Sequence, residues 1–241
     1  MKHNEKLDAL KEKALHLMKS AGFPLTEKID VVVDETLPYM GYTTAINGQP
    51  TIVVSGDALK GDMALNLLIH EMSHQYHIQI SHPSHDDQLL TSIIAWVMHG
   101  RAVLPYQEKI LHSIINNIED LYADDISFAI FDKNENLNQF FMGWIHQPVK
   151  AKSIEDRWEN AEKLLSAAFA EGNLKRHHIK DTDDLIQKAI QEFLTQCEPK
   201  VASEYDFFRD FMVNLPKELT EKEFEKLLTT YLSKFLKLIN I

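Results

Sequence analysis

Residues 65–80 read LNLLIHEMSHQYHIQI, and the interpretation of the chain starts from this segment. At its centre lies His70-Glu71-Met72-Ser73-His74, an H-E-x-x-H pattern inside an apolar stretch with helical periodicity. A spacing of four residues places His70 and His74 one turn apart on the same helix face. Two imidazole nitrogens held in this way can share one Zn²⁺ ion, and the glutamate between them can activate a water molecule. The pattern therefore predicts a zinc site with Glu71 as general base.

The residues before this helix predict a small β-sheet. Residues 28–34, 40–46 and 50–55 are rich in β-branched and aromatic side chains, which is typical of strands. Asn47 and Gly48, between the last two segments, accept positive φ angles and predict a hairpin. We expect an antiparallel sheet, and we expect Asp62 to cap the H-E-x-x-H helix that follows it.

Helical patterns dominate the rest of the chain. An amphipathic helix is predicted at residues 5–21, a very apolar core helix at 87–100, and a longer helix at 106–131. Strands that are followed by helices argue for an α+β fold rather than a βαβ alternation. We expect a catalytic core in residues 1–135 and a helical C-terminal subdomain in residues 136–241, packed together as one unit.

The third metal ligand is expected in the segment 116–125, NNIEDLYADD. A catalytic zinc ion usually has three protein ligands and one water molecule, and the H-E-x-x-H helix supplies two. The segment places polar and acidic residues in the middle of an otherwise apolar helix, where carboxylates are costly to bury unless they meet a cation. This favours a metal ligand over an ordinary solvated helix face.

Two adjacent carboxylates in this segment can be the ligand. Asp120 has Asn116 and Asp124 one turn before and after it, whereas mainly apolar residues surround Glu119. We therefore expect Asp120 to bind the metal, with Asn116 and Asp124 supporting the site. Asp124 is expected to accept the free N–H of a zinc-bound histidine. Glu119 has the longer reach and is the alternative ligand.

These residues resemble the motifs of zincins, specifically of gluzincin-type zinc metallopeptidases. In that group an H-E-x-x-H helix is followed by a second helix that carries an acidic ligand. The segment Asp120-Leu121-Tyr122-Ala123-Asp124 is similar to the E-x-x-A-D motif of integral membrane proteases of the Ste24/HtpX type, with aspartate in the first position. Asn116 followed by Glu119-Asp120 also resembles an N-x-x-E-D motif of predicted soluble metallopeptidases. The resemblance covers residues 70–125 and the preceding sheet.

The resemblance implies a zincin-like fold, a Zn²⁺ cofactor and hydrolysis of a peptide or protein substrate by metal-activated water. In zincins the strand upstream of the active helix often forms the edge that pairs with the substrate backbone, and residues 50–55 would take that place. A catalytically inactive zincin-fold scaffold that binds a peptide or protein partner is the alternative. A third hypothesis is a helical interaction protein in which H-E-x-x-H is accidental.

The remaining nearby histidines carry weaker signals. His77 lies on the same helix face as His70, but about 10 Å further along, which is too far for one metal ion to bind both directly. His82 and His85 lie around Pro83, where we expect solvent-exposed side chains. Supporting contacts to the metal site, or an accessory metal site, are the alternatives for this pair.

Composition limits the class of protein. The 241 residues carry a formal net charge of −11, and an acidic surface repels phosphate backbones, so we expect no nucleic-acid partner. The single cysteine, Cys197, and the lack of an apolar run behind the first residues predict a cytoplasmic protein. The longest apolar run, residues 93–98, is too short for a membrane span. The sequence leaves the natural substrate and the oligomeric state open.

Overall fold

The computed structural model describes residues 2–60, 63–99, 102–130 and 136–239. These residues form an α+β structure that is 68% helical and contains one three-stranded sheet, which confirms the predicted fold class. Asp62, the predicted helix cap, lies outside the described residues. The contacts divide the chain into two units, Met1–Asp86 with Tyr122–Asp132, and Asp87–Leu121 with Lys133–Ile241. The expected division into residues 1–135 and 136–241 stays a prediction.

The first unit contains the sheet and the H-E-x-x-H helix. Its elements are α1 (Lys2–Ser20), β1 (Asp30–Asp34), β2 (Gly41–Ile46), β3 (Gln49–Ser55), a 3₁₀ turn (Ala58–Lys60), α2 (Ala64–Gln79) and a second 3₁₀ turn (Pro83–His85). The C-terminal part of α4 (Pro105–Ile130), from Tyr122 onwards, completes it.

The sheet is mixed, with the strand order β1-β3-β2. β2 pairs with β3 in the antiparallel sense through the predicted hairpin, where Asn47 and Gly48 have φ angles of 53° and 78°. β1 pairs with β3 in the parallel sense, so the expectation of a fully antiparallel sheet was wrong. The physical reason is burial. β3 contains the continuous run Ile52-Val53-Val54, and such a run is most stable at the centre of a sheet with both faces covered.

The core of the first unit lies between the sheet, α1 and α2. Leu68, Ile69 and Met72 of α2 are fully buried there, together with Met18 of α1 and Ile52 of β3. This apolar stripe fixes the rotation of α2 about its axis. His70 and His74 consequently lie on a neighbouring face of the helix, outside this apolar cluster.

The end of α2 determines where the next histidines go. The backbone N–H of Ser81 donates to the carbonyl of Ile78 at 3.0 Å, and that of His82 donates to the carbonyl of His77 at 2.9 Å. Ser81 adopts a φ of 54° between these bonds. This is the Schellman pattern of helix termination, normally built on glycine. It reverses the chain, so that residues 82–85, which we call the 82–85 turn, lie against α2.

The second unit is helical throughout the part that the structure describes. It contains α3 (Asp87–Val97), α4 up to Leu121, α5 (Asn136–Met142), α6 (Ile154–Arg176), α7 (Leu185–Gln196), α8 (Pro199–Ala202), α9 (Tyr205–Asn214) and α10 (Glu221–Ile239). α6 and α9 approach closely at Gly172, where a Cβ atom would lie 2.6 Å from the Cβ of Met212. α3 was expected to be a core helix, but its Trp96 side chain is 66% exposed.

None of the helices within the described residues is both long enough and apolar enough to cross a bilayer. Phe224, Leu228 and Tyr231 form a buried stripe on α10, and the rings of Tyr231 and Phe208 meet edge to face within the second unit.

The left-handed conformation of Ser81 gives a stability prediction. Replacing Ser81 by glycine should raise the free energy of unfolding by about 1 kcal/mol, because glycine adopts positive φ without a Cβ clash. Replacing Ser81 by valine should lower it by at least about 1 kcal/mol. Urea unfolding followed by circular dichroism measures both changes. Ser20→Gly, in the last turn of α1, is the control and should lower stability, since glycine has poor helix propensity. Equal losses in Ser81→Gly and Ser20→Gly would contradict the assignment.

Candidate metal centre

His70 and His74 point their Nε2 atoms at each other across one turn of α2. The two Nε2 atoms are 3.2 Å apart, and the rings meet edge to face at 84°. His74 is buried, whereas the side chain of His70 is 24% exposed. The pair therefore forms a two-nitrogen site with one side open to solvent.

Asp124 fixes the tautomer of His70. Its Oδ1 atom lies 3.0 Å from His70 Nδ1, and Asp124 is buried. A carboxylate accepts hydrogen bonds, so Nδ1 carries the proton and donates it to Asp124. In neutral His70 the lone pair is consequently on Nε2, the atom that faces His74. This is the tautomer that a metal ligand at Nε2 requires.

Asp120 belongs to the same helix as Asp124, one turn earlier. One nitrogen each from His70 and His74 and one carboxylate oxygen from Asp120 lie within 4.8 Å of one another. The side chain of Asn116 donates from Nδ2 to Asp120 Oδ2 at 3.3 Å and orients the carboxylate. The donor set is two imidazoles and one carboxylate, which suits Zn²⁺.

Glu119 lies in a different environment. Burial raises the pKa of Glu119 to about 8, and the charges of Asp120 and Asp87 add to this effect. The carboxyl group is thus largely protonated at neutral pH. Glu119 is also not part of the group of converging donor atoms that contains Asp120.

Small residues allow α2 and the C-terminal part of α4 to approach closely. Ser73, Ala123 and Ser127 are all fully buried, and the hydroxyls of Ser73 and Ser127 are 3.4 Å apart. Each hydroxyl also donates to a carbonyl of its own helix, Ser73 to Ile69 and Ser127 to Ala123. Larger side chains here would separate His70 from Asp124. Glu71, the expected general base, follows His70 in the chain and is 5% exposed.

The 82–85 turn is buried, which corrects the expectation that its histidines are solvent-exposed. His82 and Ser84 are buried, and His85 is partly buried. His85 Nε2 lies 2.8 Å from His74 Nδ1, so the turn contacts an expected metal ligand directly. Sequence reasoning missed this contact because it depends on the left-handed Ser81. Pro83, the first residue of the 3₁₀ turn, was the available signal that the chain turns back here.

His77 connects α2 to α4 within the first unit. The carbonyl oxygen of Tyr122 can only accept, so the contact at 3.0 Å places the proton of His77 on Nε2. Burial lowers the pKa of His77 to about 4, with smaller opposing contributions from this hydrogen bond and from Asp125 and further lowering by His82 and His74. His77 is therefore neutral at physiological pH, and its hydrogen bond to the Tyr122 carbonyl holds α2 and α4 together.

The shifted pKa of Glu119 gives a pH-dependent prediction for the metal-free protein. The pKa of Glu119 is about 8 in the folded chain, against an ordinary value of 4.5. The stability contributed by the protonated carboxyl is therefore complete below pH 4.5 and is lost as the pH rises towards 8. Glu119→Gln removes this loss. The variant should gain roughly 2–4 kcal/mol relative to the parent protein between pH 5 and pH 8 in urea unfolding with chelator present. Glu108→Gln, at an exposed site on α4, should show no such change. A stability difference that is the same at both pH values would contradict the raised pKa.

Comparison with known proteins identifies the family to which the chain belongs. No curated protein and no solved structure matches the chain. The sequence model of a family described as a family of unknown function (DUF5781) matches residues 13–236, which include α2, the 82–85 turn and all of α4. Since the match covers most of the chain, the protein belongs to the DUF5781 family.

Proposed function

We propose that the protein is a zinc-dependent peptidase, with His70, His74 and Asp120 as metal ligands and Glu71 as general base. The observation that carries the proposal is the convergence of the two Nε2 atoms, 3.2 Å apart, on a carboxylate oxygen of Asp120. This is the gluzincin-type assignment that the sequence motifs imply.

The spacing of the two nitrogens supports a shared metal ion. Tetrahedral Zn–N bonds of about 2.0–2.1 Å separate two nitrogen ligands by about 3.3 Å. The observed separation of the Nε2 atoms is 3.2 Å. Two lone pairs at this distance repel each other unless a proton or a cation lies between them. The exposed side of His70 would admit water and substrate.

The catalytic roles follow from ordinary metallohydrolase chemistry. A bound Zn²⁺ ion supplies Lewis acidity, which lowers the pKa of a water molecule and polarises a carbonyl group. Glu71 takes the proton of the attacking water and passes it to the leaving amine. Asp124 keeps His70 Nε2 unprotonated and orients the ring. Asn116 holds the Asp120 carboxylate by a hydrogen bond at 3.3 Å.

The substrate strand is proposed at β2 rather than at residues 50–55. Those residues lie in β3, the central strand, so the edge expected from the zincin resemblance is elsewhere. β2 is an edge strand of the sheet, and Gln75 of α2 donates to Thr43 of β2 at 2.6 Å. Tyr42 and Ile46 of this strand are exposed apolar residues. An extended peptide that pairs with β2 would lie beside the H-E-x-x-H helix.

Hydrolysis should depend on Glu71 and on the metal. Purified protein loaded with zinc should cleave a denatured protein substrate such as casein, and a chelator should abolish cleavage. Glu71→Gln should retain stoichiometric zinc and lower the rate at least about 100-fold, since general-base catalysis contributes 10²–10⁴-fold. Elemental analysis and a fluorescent casein assay measure the two properties. A zinc-binding protein with no chelator-sensitive cleavage would instead be an inactive scaffold.

The choice of third ligand is tested by a matched pair of variants. Asp120→Ala should lose stoichiometric zinc, whereas Glu119→Ala should keep it, because Asp120 belongs to the group of converging donor atoms. A site that keeps only two of its three ligands should bind zinc at least about 100-fold more weakly in a chelator competition assay. This loss exceeds the one expected from removal of a supporting residue. The reverse pattern, with zinc lost only in Glu119→Ala, would assign the ligand to Glu119.

A further inference from the structure

A chain of hydrogen bonds leads from His74 into the 82–85 turn. His74 Nδ1 lies 2.8 Å from His85 Nε2, and His85 Nδ1 lies 2.7 Å from the hydroxyl of Ser84. The same hydroxyl lies 2.7 Å from His82 Nδ1. Each contact joins groups that can either donate or accept, so the direction of the chain depends on which nitrogen of each ring carries the proton.

The direction of the chain is set from its far end. His82 Nδ1 accepts from the backbone N–H of Ser84 at 3.3 Å, so its contact with the Ser84 hydroxyl is donated by the hydroxyl. The hydroxyl has no second proton, so His85 Nδ1 carries the proton of neutral His85 and donates it to Ser84. His85 Nε2 consequently has the lone pair and accepts from His74 Nδ1.

Metal binding at His74 Nε2 requires this same direction. The proton of neutral His74 is then on Nδ1, and Nε2 presents its lone pair towards His70 Nε2, 3.2 Å away. Each imidazole carries one proton, on the nitrogen that points away from the other.

We infer that His85 is a positioning residue for the metal site, which accepts a hydrogen bond from His74 Nδ1 and so holds His74 in its metal-binding tautomer. This inference rests on the metal site of the proposed function, but not on peptide hydrolysis. His85 does for His74 what Asp124 does for His70, with a neutral acceptor instead of a carboxylate. Ser84 and His82 fix the tautomer of His85, because the Ser84 hydroxyl donates to His82 Nδ1 and can only accept from His85 Nδ1.

The same histidines are less suited to hold a second metal ion. One nitrogen each from His77, His82 and His85 lies within 4.8 Å of the others. However, the His77 and His85 rings are stacked, with centroids 5.0 Å apart and planes inclined by only 23°, so their in-plane lone pairs do not converge. Both nitrogens of His85 are also already in hydrogen bonds. The geometry favours a hydrogen-bond network in support of His74.

The test compares zinc affinities. Zinc dissociation constants are measured by competition with a chromophoric chelator for the parent protein, His85→Phe and His85→Gln. Phenylalanine fills the space but cannot accept a hydrogen bond, and zinc should bind about 10–100-fold more weakly. Glutamine offers an acceptor oxygen and should recover most of the affinity. His16→Phe, at an exposed position on α1, is the matched control and should bind zinc as the parent protein does.

A second measurement does not depend on any variant folding. Long-range ¹H–¹⁵N correlation spectra of histidine-labelled protein report which nitrogen of each ring carries the proton. In the zinc-bound protein the proton of His74 and the proton of His85 should both be on Nδ1.

The outcomes separate the two proposals. Unchanged affinity in His85→Phe, equal weakening in the phenylalanine and glutamine variants, or a His85 ring that carries its proton on Nε2 with zinc bound would overturn the role of His85. Zinc binding that depends on His85 without any peptide hydrolysis would support that role and remove only the peptidase. A parent protein that binds no zinc would overturn both.

Discussion

The hydrogen bond from His70 Nδ1 to Asp124 Oδ1 joins residues that are 54 positions apart in the chain. It sets the tautomer of His70, and it holds the α4 face that carries Asp120 towards the H-E-x-x-H helix. Three small residues, Ser73, Ala123 and Ser127, permit the close approach that this bond needs. Without the bond, the lone pair on His70 Nε2 and the position of the Asp120 carboxylate would both be undetermined, and the donor atoms would not form a site.

The two imidazoles are supported in different ways. His70 donates to a buried carboxylate, which raises the basicity of its other nitrogen, the proposed metal-binding atom. His74 meets a neutral imidazole, His85, which can accept only when its own proton is on the other nitrogen. Both proposed ligands are thus held in the tautomer that has its lone pair on Nε2, one by a carboxylate and the other by a neutral ring. The neighbouring histidines stay neutral because burial lowers the pKa of both His77 and His85.

Local signals in the sequence predict the local parts of this structure. The periodicity of residues 65–80 predicts α2, and Asn47-Gly48 predicts the hairpin, because both depend on neighbouring residues only. The polar frame of Asn116, Asp120 and Asp124 likewise follows from helix spacing. The parallel pairing of β1 with β3 could not be predicted this way, since strand order depends on which strand is buried at the centre. The partial burial of His85 could not be predicted either, because a serine rather than a glycine takes the left-handed position at the end of α2.

The reversal at Ser81 also bears on how the chain reaches its native state. It brings His85 to His74 across only 11 positions, whereas Asp124 must reach His70 across 54. Closing the shorter loop costs about 1.4 kcal/mol less in chain entropy. Contacts of low sequence separation form early in folding, so the imidazole pair inside one helix and its turn can assemble before the distant helix arrives. The contact between His74 and His85 is thereby built into a local segment, whereas the contact of His70 with the Asp124 carboxylate requires the longer loop to close.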